Sequence, residues 1–253
     1  MKRLFDYCYM ALMSVLLLSA CSDDYEYTPA ENNLTSSQAY VYAENGTSLS
    51  FVPTDAETFT VKLGRSVTTD KATVALTTTN NKFTVPSTVT FAAGQKTVDV
   101  PVTFDMAIGT TENVTIALDK NNSNPYGADS LSMTIKRDYS WKSLGEGLFT
   151  SEFFGGSWST VVYKADGVNV YKLKDLYKEG TDIIFELSED GKTLKTFNKQ
   201  ETGYVHSKYG MVSVEPDSAD PMTRQDNVLT FNLNFTVSEG SFGVNKEVLE
   251  LPE

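Results

Sequence analysis

Three features of this sequence predict an all-β fold: apolar and polar residues alternate with period two in run after run, clusters of Asn, Gly and Asp interrupt those runs about every ten residues, and no stretch sustains a helical period. In the first half, Phe59, Val61 and Leu63 alternate with Thr58, Thr60 and Lys62, the pattern of a strand wet on one face. Val74 and Leu76 follow among threonines, then Val98, Val100, Val102 and Phe104, then Val114, Ile116 and Leu118, then Leu131, Met133 and Ile135. Short strands at that spacing predict a β-sandwich. The second half repeats the pattern with Tyr171 and Leu173; with Ile183, Phe185 and Leu187, turned at Asp190-Gly191 into Leu194; with Met211 to Val214; and with Leu229, Phe231, Leu233, Phe235 and Val237. Asp-Gly between two strands predicts a tight two-residue hairpin. A short helical turn is expected over 175–178.

Composition shifts near residues 136–141, from threonine-rich and aromatic-poor to aromatic-rich, and both tryptophans, Trp141 and Trp158, lie beyond the shift. That places a domain boundary there. The expected organisation is a leader over 1–20, a flexible stalk over 21–36, one β-sandwich over 37–137 and a second, aromatic-rich all-β domain over 138–253. The fold class is thus all-β, with two β-sandwich-like domains.

The leader divides as a secretory signal does, with Lys2 and Arg3 in front, an apolar stretch from Met10 to Leu18, and Ser19 and Ala20 before the break. Its apolar run is roughly half of the ~20 residues that a membrane-spanning helix needs. Leu18-Ser19-Ala20-Cys21 resembles the lipobox of bacterial lipoproteins, which implies cleavage before Cys21 and lipid on its sulfur. Cys8 would leave with the leader, so Cys21 would have no disulfide partner. Several acyl chains at about 0.8 kcal/mol per buried methylene would hold the chain on a bilayer. The following Ser22, Asp23, Asp24, Tyr25 and Glu26 look like the export signal of Bacteroidales-type surface lipoproteins, which implies an outer-membrane position facing the exterior.

The formal net charge is −12, and loss of Lys2, Arg3 and Asp6 with the leader makes the remainder one unit more negative. Phosphate binding needs clustered Lys and Arg, whereas Lys172, Lys174 and Lys178 are interleaved with Asp175 and Glu179, so no nucleic-acid partner is expected. Membrane contact is expected through the lipid alone.

Residues 59–63, 71–77, 88–94, 97–103 and 113–119 together resemble the Calx-β family of β-sandwiches, most closely in Val89-Thr90-Phe91-Ala92-Ala93-Gly94-Gln95. Members of that family often bind calcium through acidic loops. This chain carries Asn80, Asn81 and Lys82 where the family has an acidic pair, and Met106 to Gly109 between Asp105 and Glu112. Calcium takes six to eight oxygens, so no metal is expected unless Asp55, Glu57, Asp105, Glu112 and Asp119 converge. From Trp141-Lys142-Ser143-Leu144-Gly145-Glu146-Gly147 onward, the chain is similar to a Trp/Leu-Gly-type β module of Bacteroidales surface lipoproteins. That module implies a surface role and no assigned reaction. Asp129-Ser130-Leu131 and Asp217-Ser218-Ala219 resemble short O-glycan acceptor sites.

Few enzyme chemistries fit. His206 is the one histidine, Gly155-Gly156-Ser157-Trp158-Ser159 lacks the last glycine of a nucleophile elbow, and one His with one lipidated Cys cannot assemble a zinc site. Phosphate loops and dinucleotide fingerprints are missing, and no cofactor is expected. Glycoside hydrolysis by paired carboxylates remains an alternative, with Glu152, Asp166, Asp182 and Glu186 as candidates. Sugar rings stack on exposed aromatics, and the second domain is rich in them. Most of its Phe side chains, Phe149, Phe185, Phe231 and Phe235 among them, belong to a core. Phe153, Phe154 and Trp158, beside the flexible Gly155-Gly156, and Tyr163 are the candidate ligand-binding residues, with an extracellular glycan as the expected partner. Adhesion to a protein partner, with the sandwiches as spacers, is the other reading.

Overall fold

The computed structural model describes residues 33–252. The expected leader, Cys21 with its expected lipid, and most of the expected stalk lie outside the described residues. Ser36, placed by sequence at the end of that stalk, is buried: its carbonyl accepts from Arg65 at 2.9 Å, and its hydroxyl bonds Thr69.

Among the described residues, nine strands build two facing sheets around one core. β1 (Ala39–Tyr42), β3 (Thr58–Arg65), β7 (Thr97–Phe104) and β5 (Phe83–Thr84) form one sheet in the order β1-β3-β7-β5. β2 (Ser48–Phe51), β9 (Ser130–Arg137), β8 (Thr111–Leu118), β4 (Ala72–Thr78) and β6 (Thr88–Phe91) form the other, in the order β2-β9-β8-β4-β6. Pairing is antiparallel except between β2 and β9. The alternation read from sequence is the alternation of burial. Val61, Leu63, Val74, Val100, Val102, Ile116 and Ile135 are fully buried, while the intervening threonines Thr58, Thr60 and Thr103 face water.

Each end of this sandwich is closed by a buried arginine, and β3 runs from one to the other. At the end of β3, Arg65 lies over the Phe91 ring and donates to the carbonyls of Ser36, Asp70, Ala92 and Gln95 at 2.6–2.9 Å. At the opposite end, Arg137 lies over Phe104, donates to the carbonyls of Val52 and Pro53, and pairs with Glu57 at 3.1 Å. Loop carbonyls that turn inward need donors, and a guanidinium supplies several in one plane.

The other ten strands of the described residues form one antiparallel sheet. β10 (Trp141–Ser151), β11 (Gly156–Ala165), β12 (Val170–Lys178), β13 (Thr181–Leu187) and β14 (Leu194–Thr196) follow one another outward on one side of β10. β19 (Gly240–Glu250), β18 (Val228–Val237), β16 (Gly210–Pro216) and β15 (Gln200–His206) extend the other side, with β17 (Met222–Gln225) also on β18. Only residues 197–199 separate β14 from β15, so the sheet rolls until its two margins meet. Gln200 completes the closure with its side chain, accepting from the Ile184 amide and donating to the Ile184 carbonyl at 2.8 and 2.7 Å. Inside the roll lie Phe149, Val162, Leu173, Ile183, Phe185, Leu187, Val212, Val214, Leu229, Phe231, Phe235 and Leu249.

Two local expectations are corrected. Residues 175–178 are not helical: Asp175 sits at φ 53 in an irregularity of β12, where Asp182 accepts its amide and its own carboxylate accepts the Gly180 amide. The Asp190-Gly191 turn is not a two-residue hairpin. Gly191 N bonds Ser188 O, Ser188 N bonds Thr193 O, and within this turn Gly191 alone takes positive φ, which is a longer loop built on an ordinary turn.

Replacing Arg65 by Met takes the guanidinium donors from four inward-turned carbonyls, of which the Ala92 carbonyl keeps the Gln95 amide. Chemical denaturation is expected to show a loss of about 3 kcal/mol or more. A loss below about 1 kcal/mol would mean that water replaces the guanidinium.

Candidate functional site

Strand alternation in an antiparallel meander brings the turns β10–β11, β12–β13, β15–β16 and β18–β19 to one end of the roll. The linker from the first sandwich enters β10 at the other end. The turn-bearing end is lined with aromatic side chains.

Phe153 and Phe154 lie in the β10–β11 turn. Phe153 stacks flat on Phe235, with centroids 4.0 Å apart and planes 6° apart, and contacts Phe242 at 5.6 Å. Phe154 stands edge-on to Phe153 and meets Tyr177 at 5.5 Å and Tyr204 at 5.3 Å. Trp158, at the start of β11, meets Phe149 at 5.4 Å and donates its indole N–H to the Leu176 carbonyl at 2.7 Å. Beyond Phe242 the series continues through Tyr209 to His206, which stack at 5.0 Å. A continuous aromatic strip therefore runs from Trp158 to His206. Phe153, Phe154 and Trp158 are half-buried rather than projecting, whereas Tyr204 and Phe242 keep 37% and 38% of their surface exposed. A hollow of about 420 Å³ opens at the Trp158 end, lined by Phe154, Trp158, Tyr177 and Lys178. Another of about 290 Å³ opens at the Tyr209 end beside Phe242.

Beneath the strip lies a carboxyl group that sequence reading missed. Glu247 is fully buried on the inner face of β19 and accepts from Ser151 Oγ at 3.0 Å, the Phe153 amide at 3.3 Å and the Tyr177 hydroxyl at 3.4 Å. Ser151 Oγ in turn accepts from the Phe154 amide at 3.0 Å. The turn that carries both phenylalanines is thus pinned through its backbone. Burial pushes the Glu247 carboxyl up to about 7, against the pull of those three donors, and nearby Glu152 adds to the rise. Burial, and then Glu247, raise the Tyr177 hydroxyl well above its ordinary range. The signal was present in sequence: Asn245, Glu247 and Leu249 alternate in phase, so an acid occupies an inward position.

Tyr163 is not brought to this end. It lies on the outer face of β11, level with Lys172 of β12, whose ammonium sits 5.0 Å from the Tyr163 ring, 4.8 Å from the Trp141 ring and 3.7 Å from Asp182. The other singled-out groups are engaged locally. His206 Nδ1 accepts the Lys208 and Tyr209 amides. Glu152 accepts the Lys246 amide, Asp166 accepts from Ser140, and Glu186 pairs with Lys195. The acids watched for calcium do not converge: Asp55 accepts the Val52 amide, Glu57 meets Arg137, Glu112 pairs with Lys82, and Asp119 caps a single 3₁₀ turn. Among the described residues no three His, Cys, Asp or Glu side chains are placed to hold a metal. No helix among them is long and apolar enough to cross a membrane.

No protein-family model matches this sequence, and no curated protein does. Among solved structures, a protein of unknown function from Bacteroides ovatus is similar at TM-score 0.42 and 10% identity, over 84% of this chain and 90% of that one. An auxiliary nutrient binding protein from Bacteroides thetaiotaomicron is similar at TM-score 0.33 and 10% identity, over 86% and 92%. The calcium binding domain CBD12 of CALX1.1 is similar at TM-score 0.35 and 11% identity, over 60% and 82%. The all-β assignment rests on the strand pairings themselves.

Glu247 makes stability depend on pH in a defined window. Its folded value of about 7 lies above the ordinary 4.5, so its contribution is complete below about 4.5 and is lost as pH rises through about 7. The gap corresponds to about 3 kcal/mol. Urea denaturation across pH 5 to 8 should therefore show Glu247→Gln gaining on the parent as pH rises. Parallel curves for the two proteins would refute a buried, titrating Glu247.

Proposed function

We propose that this chain is a non-enzymatic surface protein, held on the outer membrane by lipid on Cys21, that binds an extracellular glycan at the aromatic end of its second domain. The observation that carries the reading is the strip from Trp158 to His206. Its rings are fixed by mutual packing and by the Glu247-pinned turn, its outer members Tyr204 and Phe242 are exposed, and hollows adjoin both of its ends. Rigid, partly exposed rings offer apolar faces to the C–H faces of sugars at small cost in side-chain entropy. The adjoining Asp175, Lys178 and Glu179 supply hydrogen-bonding groups for hydroxyls.

Position supports the same reading. The linker enters at Trp141, the first residue of β10, whereas the aromatic turn follows Ser151, its last. Eleven residues of strand, about 35 Å at the usual rise, separate the two. A roll held at its linker end would present the aromatic end away from the first sandwich. The local engagement of His206, Glu152, Asp182 and Glu186 supports binding rather than turnover.

Two measurements test this. On a glycan array, the full chain in detergent should bind at least one neutral oligosaccharide, Trp158→Ala should weaken that binding about tenfold, and Tyr126→Ala, at an exposed ring of the first sandwich, should leave it unchanged. Binding indifferent to Trp158→Ala, or no binding at all, overturns the glycan reading. For the anchor, labelled palmitate should enter the wild-type chain and not Cys21→Ser, and the variant should leave the membrane fraction.

A further inference from the structure

At the linker end of the roll, opposite the aromatic strip, lies a larger hollow of about 660 Å³, formed where β11 turns into β12 and lined by Lys142, Lys164, Asp166, Asn169, Glu186 and Lys195 among others. Most of its polar groups are committed to one another. Lys195 pairs with Glu186 at 2.8 Å, Thr196 Oγ1 also donates to Glu186, Asp166 accepts from Ser140, and the Asn169 amide donates to the Ser188 and Glu189 carbonyls. Two groups are not. Lys142 and Lys164 are register partners on β10 and β11, so their side chains leave the same face side by side. Neither ammonium forms an ion pair among the described residues. Glu189 lines the same hollow without reaching either, and Lys164 rests 5.7 Å from the Tyr171 ring, a contact that orients its charge without neutralising it.

Like charges directly opposite across strands are destabilising. Of the other described lysines seven have a carboxylate partner and seven have none, so what sets Lys142 and Lys164 apart is that they stand directly opposite each other at a hollow, without a carboxylate, in a chain of 33 acidic residues against 21 basic ones. An unneutralised pair at the mouth of a hollow is suited to an anion supplied from outside. The hollow is also too large for a small ion, and it adjoins another of about 280 Å³ across Glu186, lined by Tyr139, Ile184, Thr196, Asn198 and Gln200. The Tyr139 ring and the Asn198 amide, next to two ammoniums, match a sugar ring bearing an acid group. We propose that Lys142 and Lys164 bind the carboxylate or sulfate ester of an anionic saccharide, whose neighbouring ring lies toward Tyr139. The site shares no residue with the aromatic strip and stands or falls separately from it.

Titration calorimetry on the full chain in detergent tests this with four probes: trigalacturonate, a heparin-derived sulfated tetrasaccharide, neutral galactotriose and sodium sulfate. Binding is expected for one of the two acidic oligosaccharides, which identifies the acid group, and it should weaken as sodium chloride rises. Lys142 is exposed, so Lys142→Gln should fold normally and weaken binding about tenfold. The Lys142→Gln/Lys164→Gln pair should abolish binding, while the Lys142→Arg/Lys164→Arg pair keeps it and reports on a charge role even where the Gln pair unfolds. Failure of both acidic oligosaccharides overturns the proposal. So does full binding by Lys142→Gln, equal binding of galactotriose, or equal binding of sodium sulfate, which would mean an adventitious ion only.

Discussion

The roll is governed by one constraint: a ten-stranded sheet with a single apolar face must find something to cover that face. Among the described residues no helix packs on it and no second sheet faces it, so the sheet covers itself by rolling. Rolling brings β15 against β13, where the Gln200 amide group takes the place of a strand's own N–H and C=O toward Ile184. It also leaves two open ends, where the interior would meet water. At the turn-bearing end, Phe153 folds down from the β10–β11 turn onto Phe235, and Phe154 fills the space between Tyr177 and Tyr204. The aromatic strip is first of all the plug of the roll. Its partial exposure follows from the same requirement, because a plug is wetted on its outer side.

Closing an end creates a second problem, since turns that fold inward carry backbone groups with them. The two halves of the chain meet it with opposite charges. In the first sandwich the inward groups are carbonyls, and Arg65 and Arg137 satisfy them as donors from positions stacked over Phe91 and Phe104. In the roll the inward group is the Phe153 amide, and the acceptor is Glu247. Burial has carried the Glu247 carboxyl to about 7, where it exchanges a proton near neutrality. Glu112, Asp138 and Asp190 shift the other way, each held below its ordinary value chiefly by a hydrogen bond from a neighbouring side chain: Lys82, Lys136 and Ser188 respectively. Their effect falls in the acid range, apart from that of Glu247.

Much of this architecture was legible because burial in a sheet follows sequence parity. Leu229, Phe231, Leu233 and Phe235 announce an inward face by their alternation, and the fold buries all four. What parity cannot announce is a reversal. Asp175 is expected in a short helical turn, yet a positive φ and two amide-to-carboxylate hydrogen bonds make it an irregularity within a strand. Tyr163 and Trp158 are five residues apart on one strand, and odd separation puts them on opposite faces. That fact was available from spacing alone and separates Tyr163 from the strip. Arg65 and Arg137 were hidden for a different reason: composition marks charged residues as solvent-exposed, and only the assembled loops reveal which ones have been given enough partners to lie inside, whereas the parity of Glu247 with Leu249 already placed an acid inward.

The seam between the halves decides how the linker end of the roll is held. Tyr139 leaves the first sandwich two residues after Arg137 and lays its ring against Gly109, where an added Cβ would collide with the tyrosine hydroxyl, and where φ is +83. Both steric space and backbone conformation therefore demand glycine at that position. The same ring contacts Trp141 at 5.0 Å and lines the hollow beside Glu186, so one side chain belongs to the joint and to the linker-end cavity at once. Ile108, next to Gly109, reaches Gly167 in the β11–β12 turn, which borders the lysine-lined hollow. The loop over 107–110 of the first sandwich thus meets the linker end of the roll at Tyr139 and Gly167. The aromatic end has no such neighbour from the first sandwich among the described residues, and its geometry depends on Glu247 and the rolled sheet alone.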